Sequence, residues 1–244
     1  MSTLPGTASR RRIYLMRHGH VDYLAKHVVG EGAINVVPLT TRGRLQAEAA
    51  GAALSHVGIE RALCSGYPRT HETASHVLAA QQNPVPLEID ADLVEIAGGA
   101  MNPPPKSREE MIERMKVRFS QAGNPGAAGG DGGEDYGHAQ ARAAAAVARL
   151  LAAPGWHTAL IVAHEGTNRL LLSWACGAGL SAMGAFEQDT GCINVLDFDL
   201  DAGGAVRRKM IKAVNLTPYN WLKHGMNLTS LEAIFERDAT EELR

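Results

Sequence analysis

Three times in this chain a short apolar run ends abruptly in residues able to do chemistry. Residues 12–16 (Arg-Ile-Tyr-Leu-Met) stop at Arg17-His18-Gly19-His20, and residues 61–65 run into Gly66-Tyr67-Pro68-Arg69. Residues 158–163 (Thr-Ala-Leu-Ile-Val-Ala) stop at His164-Glu165-Gly166. Apolar runs of this length, bounded by turn residues, suit buried strands. A helical pattern follows each break. Thr40 or Thr41 caps a helix to about Ser55 with Leu45, Ala49, Ala52 and Ala53 as its apolar stripe; Arg69 opens another to about Ala80, and Thr167 to Cys176 forms a third. Strand, polar loop and helix in succession restrict the chain to the α/β class, a three-layer α/β/α sandwich around a mostly parallel central sheet. Ligands of open α/β sheets bind at the carboxyl ends of the strands, so the three loops meet there if their strands are neighbours.

The other segments fit around this frame. Val85 to Ile89 reads as a further strand, and Cys192 to Asp199 with Ala205 to Val214 as a hairpin turning at Asp201 to Gly204. Ser107 and Glu110 make a capping box for a helix from about Arg108 to Gln121, with Met111, Met115 and Phe119 aligned at four-residue intervals. The Ala-rich run from Tyr136 to Ala153 is a helix by propensity, and Thr229 with Glu232 suggests one more cap. Six glycines and a proline within residues 123–133 read as a mobile surface loop. The expected organisation is a flexible tail over residues 1–11, then a single domain over 12–244 with a helix and Gly-rich loop inserted at about 102–134.

Charge narrows the function classes. With 24 Lys and Arg against 26 Asp and Glu, the net charge of -2 gives no footprint for nucleic acid or a membrane surface. Any bound anion must therefore be held locally. Cys64, Cys176 and Cys192 are too few and too scattered for a disulfide framework or a zinc ribbon, so buried inert thiols are expected. No run is long enough to span a bilayer and no apolar leader precedes the first strand, which makes the cytoplasm the expected compartment. Oligomeric state is left open, a homo-oligomer included.

The strand-end residues suggest a chemistry. Arg17 and Arg69 would bring two planar donor forks to one place, enough to neutralise most of a phosphate dianion without a metal or other cofactor. His18 is the candidate nucleophile, kept neutral by the two guanidinium groups. His164 could donate to the equatorial oxygens during in-line transfer. Glu95 fits the remaining role of proton donor to the leaving oxygen, although Glu88, Asp90 and Asp92 lie close in sequence.

At these residues the chain resembles the histidine phosphatase superfamily, with its phosphoglycerate mutase-like fold. The resemblance rests on Leu15-Met16-Arg17-His18-Gly19, on Pro38 to Ala47, on Ser65 to Ala74 with Arg69, on Leu93-Val94-Glu95, and on His164 to Arg169. It implies that His18 becomes phosphohistidine, that Arg17, Arg69 and His164 hold the phosphoryl group, and that Glu95 is the acid. The substrate would then be a small-molecule phosphate ester. Three positions depart from the family pattern: His20 where Glu or Gln is common, Leu24 where an Asn often contacts phosphate, and Glu165 where a small residue is usual. His20 is expected to touch substrate, and Glu165 to be either a solvated rim carboxylate or a specificity determinant.

Other functions remain to be separated from hydrolysis. A phosphoglycerate mutase would share the core and pass the phosphoryl group to a second hydroxyl, but residues 21–37 do not resemble its substrate loop. A metal-dependent hydrolase could in principle use His18, His20, His164 and Glu165, against which the flanking arginines argue. A non-catalytic oxyanion-binding homologue is the third alternative.

Overall fold

A computed structural model describes residues 9–25 and 33–235. Residues 1–8 of the expected tail and part of the 21–37 tract lie outside the described residues. The sheet has six strands: β1 (Arg11–Arg17), β2 (Arg61–Cys64), β3 (Leu87–Ile89), β4 (Thr158–Ala163), β5 (Ile193–Leu200) and β6 (Val206–Leu216). They lie in the order β3-β2-β4-β1-β5-β6. The first four are mutually parallel, while β5 pairs antiparallel with both β1 and β6. The sheet is thus mixed: a parallel block carries the hairpin on one edge. Because β2, β4 and β1 are adjacent, their carboxyl ends open on one crevice, the arrangement the three strand-end motifs require.

The described residues form five α-helices: α1 (Thr41–Leu54), α2 (Pro68–Ala79), α4 (Tyr136–Ala152) and α5 (Glu165–Cys176) pack on the sheet, and α3 (Arg108–Lys116) lies apart from it. Strand alternation separates two cores. Ile13, Leu15, Ala159 and Ile161 face α4 and α5 with Val147, Leu151 and Leu171. Met16, Leu160 and Val162 face α1 and α2 with Ala50, Leu54, Ala74 and Val77. The buried face of α1 is Gly43, Gln46, Ala47, Ala50, Gly51 and Leu54, so the stripe expected from Leu45, Ala49, Ala52 and Ala53 is not the one it packs with; Leu45 is 60% exposed. No helix among the described residues is long and apolar enough to cross a membrane.

Several local expectations need correction. β1 begins at Arg11, and Arg10 already pairs with Asp199 at 2.6 Å. α3 stops at Lys116 because it buries none of its own residues; Phe119 leaves the helical path to enter a separate core with Ile96, Ala122 and Tyr136. The Gly-rich stretch is hydrogen bonded rather than open: Ala100 and Asp131 exchange backbone bonds, and Gly99 N donates to Gly129 O. A Cβ on Gly99 would meet Asp131 O at 2.3 Å, so the glycines permit this apposition. Thr229 and Glu232 form their capping box, yet only turns follow through residue 235. Cys64 and Cys192 are buried as expected, whereas Cys176 is exposed.

Candidate active site

Arg17 and His18 close β1, and both are buried. His18 N donates to Ala163 O at 3.1 Å, which ties the β1 terminus to that of β4. Gly19 then passes α1 so closely that a Cβ there would stand 2.3 Å from Gly43 O. Gly43 in turn has room only for hydrogen, since its own Cβ would meet His20 O at 2.2 Å. Two glycines far apart in sequence thus set the loop against the first turn of α1. Thr40 stitches the junction by capping α1 through Gly43 N and bonding His20 Nδ1 at 2.8 Å.

The ring of His18 is fixed in a useful tautomer. Nδ1 lies 2.7 Å from Gly19 O, and a carbonyl can only accept, so Nδ1 carries the proton and Nε2 keeps its lone pair. Burial, then Arg69 and Arg17, hold the pKa of His18 well below the ordinary histidine range. The imidazole is therefore neutral at physiological pH. The hydroxyl of Tyr23 faces Nε2 at 3.4 Å.

His164, the N-cap of α5, sits edge-on to His18 with ring centroids 5.3 Å apart. Its Nε2 is 2.8 Å from Ser65 Oγ, which also contacts Thr70 Oγ1 at 2.9 Å. Thr70 gives its single hydroxyl proton to Tyr67 O, so Ser65 must donate to Thr70 and accept from His164 Nε2. That leaves Nδ1 of His164 as a bare, buried acceptor, and it has no hydrogen-bond partner. Burial, then His18 and the two arginines, lower the pKa of His164 far below the usual value.

Arg69 lies in the first turn of α2, which opens on Pro68 after Gly66 supplies a positive φ of 88°. Its guanidinium stacks 4.9 Å from the Tyr67 ring centroid and 5.8 Å from that of Tyr23. Nη1 donates to the carbonyls of Ile34 and Asn35, while Nε is buried without a partner. Arg17 donates from Nη1 to Gln188 O at 2.6 Å and pairs through Nη2 with Glu165 at 3.1 Å; its Nε is likewise buried and unpartnered. Burial is the largest single influence and works against the Arg17 charge, but Glu165 acting together with Tyr23, Cys192 and Glu95 raises the pKa overall.

Glu165 is not on the rim. It is 4% exposed, with Oε2 on Arg17 and Oε1 accepting from Arg169 at 2.9 Å and Ser230 Oγ at 2.5 Å. The carboxylate is a brace between two buried guanidinium groups, which corrects the expectation of a solvated or substrate-contacting residue. Arg169 also reaches Glu187 at 3.3 Å and stacks 4.8 Å from the centre of Phe119.

Glu95 occupies the other side of the α5 N-terminus. Oε1 accepts from Ile96 N at 2.9 Å and Thr167 N at 3.1 Å, and Oε2 accepts from Gly166 N at 3.1 Å. Gly166 permits this, because a Cβ there would lie 2.6 Å from Glu95 Oε1. Arg142 of α4 fixes the approach by donating to the carbonyls of Asp92, Val94 and Glu95. The competing acids are engaged elsewhere, Glu88 with Arg61 and both Asp90 and Asp92 with Arg149.

His20 lines a cavity of about 360 Å³ whose walls also include Arg17 and Tyr23. Leu24 is 58% exposed, and α3 contacts the C-terminal segment through Arg108 to Phe235 O and Lys116 to Glu232. Among the described residues, no three His, Cys, Asp or Glu side chains form a group that could hold a metal ion. Sequence reasoning did not single out Tyr23, Arg142, Gln188, Glu187 or Ser230. Glu165 and Arg169 sit at helical i, i+4 spacing, a signal that could have revealed their pairing; the other five lie on loops or a distant helix and leave none.

Comparisons with known proteins bear on the family and the fold. The family model for the histidine phosphatase superfamily (branch 1) matches residues 13–210. Adenosylcobalamin/alpha-ribazole phosphatase of Escherichia coli (strain K12) is 28% identical over 195 residues, covering 77% of this chain and 90% of that protein. The 2-carboxy-D-arabinitol-1-phosphatase of Triticum aestivum is 27% identical over 219 residues, 88% of this chain, which spans 42% of the wheat protein. A mycobacterial glucosyl-3-phosphoglycerate phosphatase shares the fold, with a TM-score of 0.67 at 22% identity over 84% of this chain and 98% of that one.

Proposed function

The chain belongs to the histidine phosphatase superfamily, and on that premise we propose that it hydrolyses phosphomonoesters through a phosphohistidine on His18, without a metal ion. One observation carries the reading: His18 presents a neutral Nε2 lone pair beside His164, under the influence of both Arg17 and Arg69. Nε2 attacks phosphorus as the ester P–O bond breaks, and Glu95 gives a proton to the departing alkoxide. Glu95, now a carboxylate, takes a proton from water; the resulting hydroxide breaks the P–N bond and frees inorganic phosphate with Nε2 restored.

Arg17 and Arg69 each have a buried Nε without a partner, and the two guanidinium groups supply the positive charge that the phosphoryl oxygens require. The bare Nδ1 of His164 can donate only after gaining a proton. A dianion beside it favours that gain, so substrate binding converts His164 from acceptor to donor. The relatives named above are phosphatases of small phosphate esters, which supports hydrolysis over transfer.

The test is to quench turnover of a radiolabelled ester in base, where a phosphoramidate survives, and to locate the label. Wild type is expected to carry it on His18 and to release phosphate in the presence of a chelator, and His18→Ala to do neither while keeping its thermal melt. Label on another residue, or turnover abolished by chelation, overturns the reading. Transfer of the label to a second alcohol in place of water indicates the mutase-type reaction.

A further inference from the structure

The cavity of about 360 Å³ lined by Arg17 and Tyr23 has walls from four parts of the chain. Val21, Met226, Leu228 and Ile234 give it an apolar side, and His20, Thr190 and Tyr219 a polar one. Its size falls within the span of small-molecule sites. Arg17 and Tyr23 both line it, and the Tyr23 hydroxyl lies 3.4 Å from His18 Nε2, so the cavity adjoins the position of a phosphoryl group at His18 and offers space to the alcohol portion of its ester.

The charges in the lining are unequal. Arg17 is matched by Glu165, and Asp189 by Lys223 at 2.6 Å and Asn215 Nδ2 at 2.9 Å. Tyr219 has its hydroxyl on Thr190 O. Arg42, in the first turn of α1, also lines the cavity and is exposed. Among the described residues it has no carboxylate within ion-pair distance and no hydrogen-bond acceptor, although its neighbour Arg44 is held by Glu72 at 2.6 Å. A cavity with an apolar wall and one unmatched guanidinium fits a molecule with an apolar body and a second negative charge.

We propose that this cavity is the alcohol subsite, and that it takes phosphomonoesters whose alcohol carries a second anionic group, a carboxylate or a phosphate, held by Arg42. This rests on the phosphatase reading of the His18 site and adds its substrate class. Both anions present paired oxygens to the guanidinium fork, and the two sources are separable by experiment.

Three aryl esters with similar leaving groups serve as probes: para-tolyl phosphate, para-(carboxymethyl)phenyl phosphate and para-(phosphonomethyl)phenyl phosphate. Wild type is expected to favour at least one anionic ester in kcat/KM by roughly five- to tenfold, the size of a half-solvated charge-assisted contact, and the preference should shrink with added salt. Arg42→Gln should remove the preference, Arg42→Lys should retain part of it, and Arg44→Gln, whose side chain lies outside the cavity lining, should leave the ratio as it is. Which anionic ester is preferred distinguishes the carboxylate from the phosphate. Equal rates for all three esters in wild type, or a preference that survives Arg42→Gln, would overturn the subsite. Calorimetric binding of the same esters to His18→Ala repeats the comparison without turnover. A binding preference with no hydrolysis by wild type would sink the phosphatase reading and leave the subsite standing; hydrolysis with no preference would do the reverse.

Discussion

Two glutamates flank His164, one on each side of the α5 N-terminus, and their surroundings differ completely. Glu95 meets only neutral donors, the amides of Ile96, Gly166 and Thr167. Glu165 meets two guanidinium groups and a hydroxyl, and is 4% exposed. The same side chain is suited to proton traffic on the Glu95 side, where no cation pins it, and to holding Arg17 on the other. The comparison teaches that the role of a carboxylate near an anion site is set by what already neutralises it.

The largest effect that could break this comparison is on rate. Glu95→Gln keeps an oxygen to accept from the α5 amides but has no proton to deliver. We expect kcat to fall by about 10²–10⁴, the usual contribution of a general acid, most severely for esters with poor leaving groups and with little change in melting temperature. Equal loss for good and poor leaving groups, or a lowered melting temperature with normal rates, would make Glu95 a helix cap only.

Glu165→Ala tests the opposite side and should act chiefly on stability. It leaves Arg17 buried without a counter-charge and Arg169 with only its 3.3 Å pairing to Glu187, a change that typically costs about 3–5 kcal/mol, read in urea denaturation. Phosphate affinity should drop as well, because Arg17 loses its brace. If the variant is as stable as wild type, the network around Glu165 is not holding the site.

The pH dependence of stability comes next in size. His18 and His164 are both held neutral in the fold by burial and neighbouring cations, and both return toward 6.5 on unfolding. Below that value the unfolded chain binds more protons than the folded one. Their contribution is therefore complete above about pH 6.5 and declines as pH falls toward the depressed folded values, by about 1.4 kcal/mol per pH unit for each histidine. Denaturation midpoints compared at neutral and mildly acidic pH should show this slope, and His18→Ala should reduce it. A midpoint insensitive to pH would mean that neither ring is held neutral.

The same contrast explains what could be read from the chain before its fold. Arg17, His18, Arg69 and His164 were legible because each follows an apolar strand and precedes a loop or helix start, so local pattern and sheet topology together forced them into one crevice. The strand order that makes those ends neighbours, with β4 between β1 and β2, is set by pairing between distant segments and was only a condition in the sequence. Glu95 lies in irregular backbone among other acids, and what distinguishes it comes from distant segments: the α5 amides on its carboxylate and the grip of Arg142 on the carbonyls of Asp92, Val94 and Glu95. Glu165 was misjudged because adjacency to a histidine at a strand end suggests a rim, whereas its side chain points inward, toward Arg17 and Ser230. The Gly-rich segment failed differently: glycine was read as freedom, when here it permits close backbone contact with residues 97–100.

The smallest predicted effect probes the link between these regions. Ser230 donates its hydroxyl to Glu165 at 2.5 Å, accepts from Arg169 at 3.1 Å, and donates its backbone amide to Glu187 Oε1 at 2.8 Å. It also lines the cavity beside Arg17, so one hydroxyl joins the anion brace to the alcohol subsite. Ser230→Ala removes that hydroxyl and leaves both charges of the Glu165–Arg169 pair in place, so the cost should be about 1 kcal/mol, the net worth of one buried hydrogen bond, far below that of Glu165→Ala. Because the backbone contact to Glu187 survives, the segment should stay docked and the catalytic rate with small esters should change little. A loss as large as that of Glu165→Ala would show that the brace depends on the C-terminal segment, making Glu165 one part of a wall that begins at residue 230.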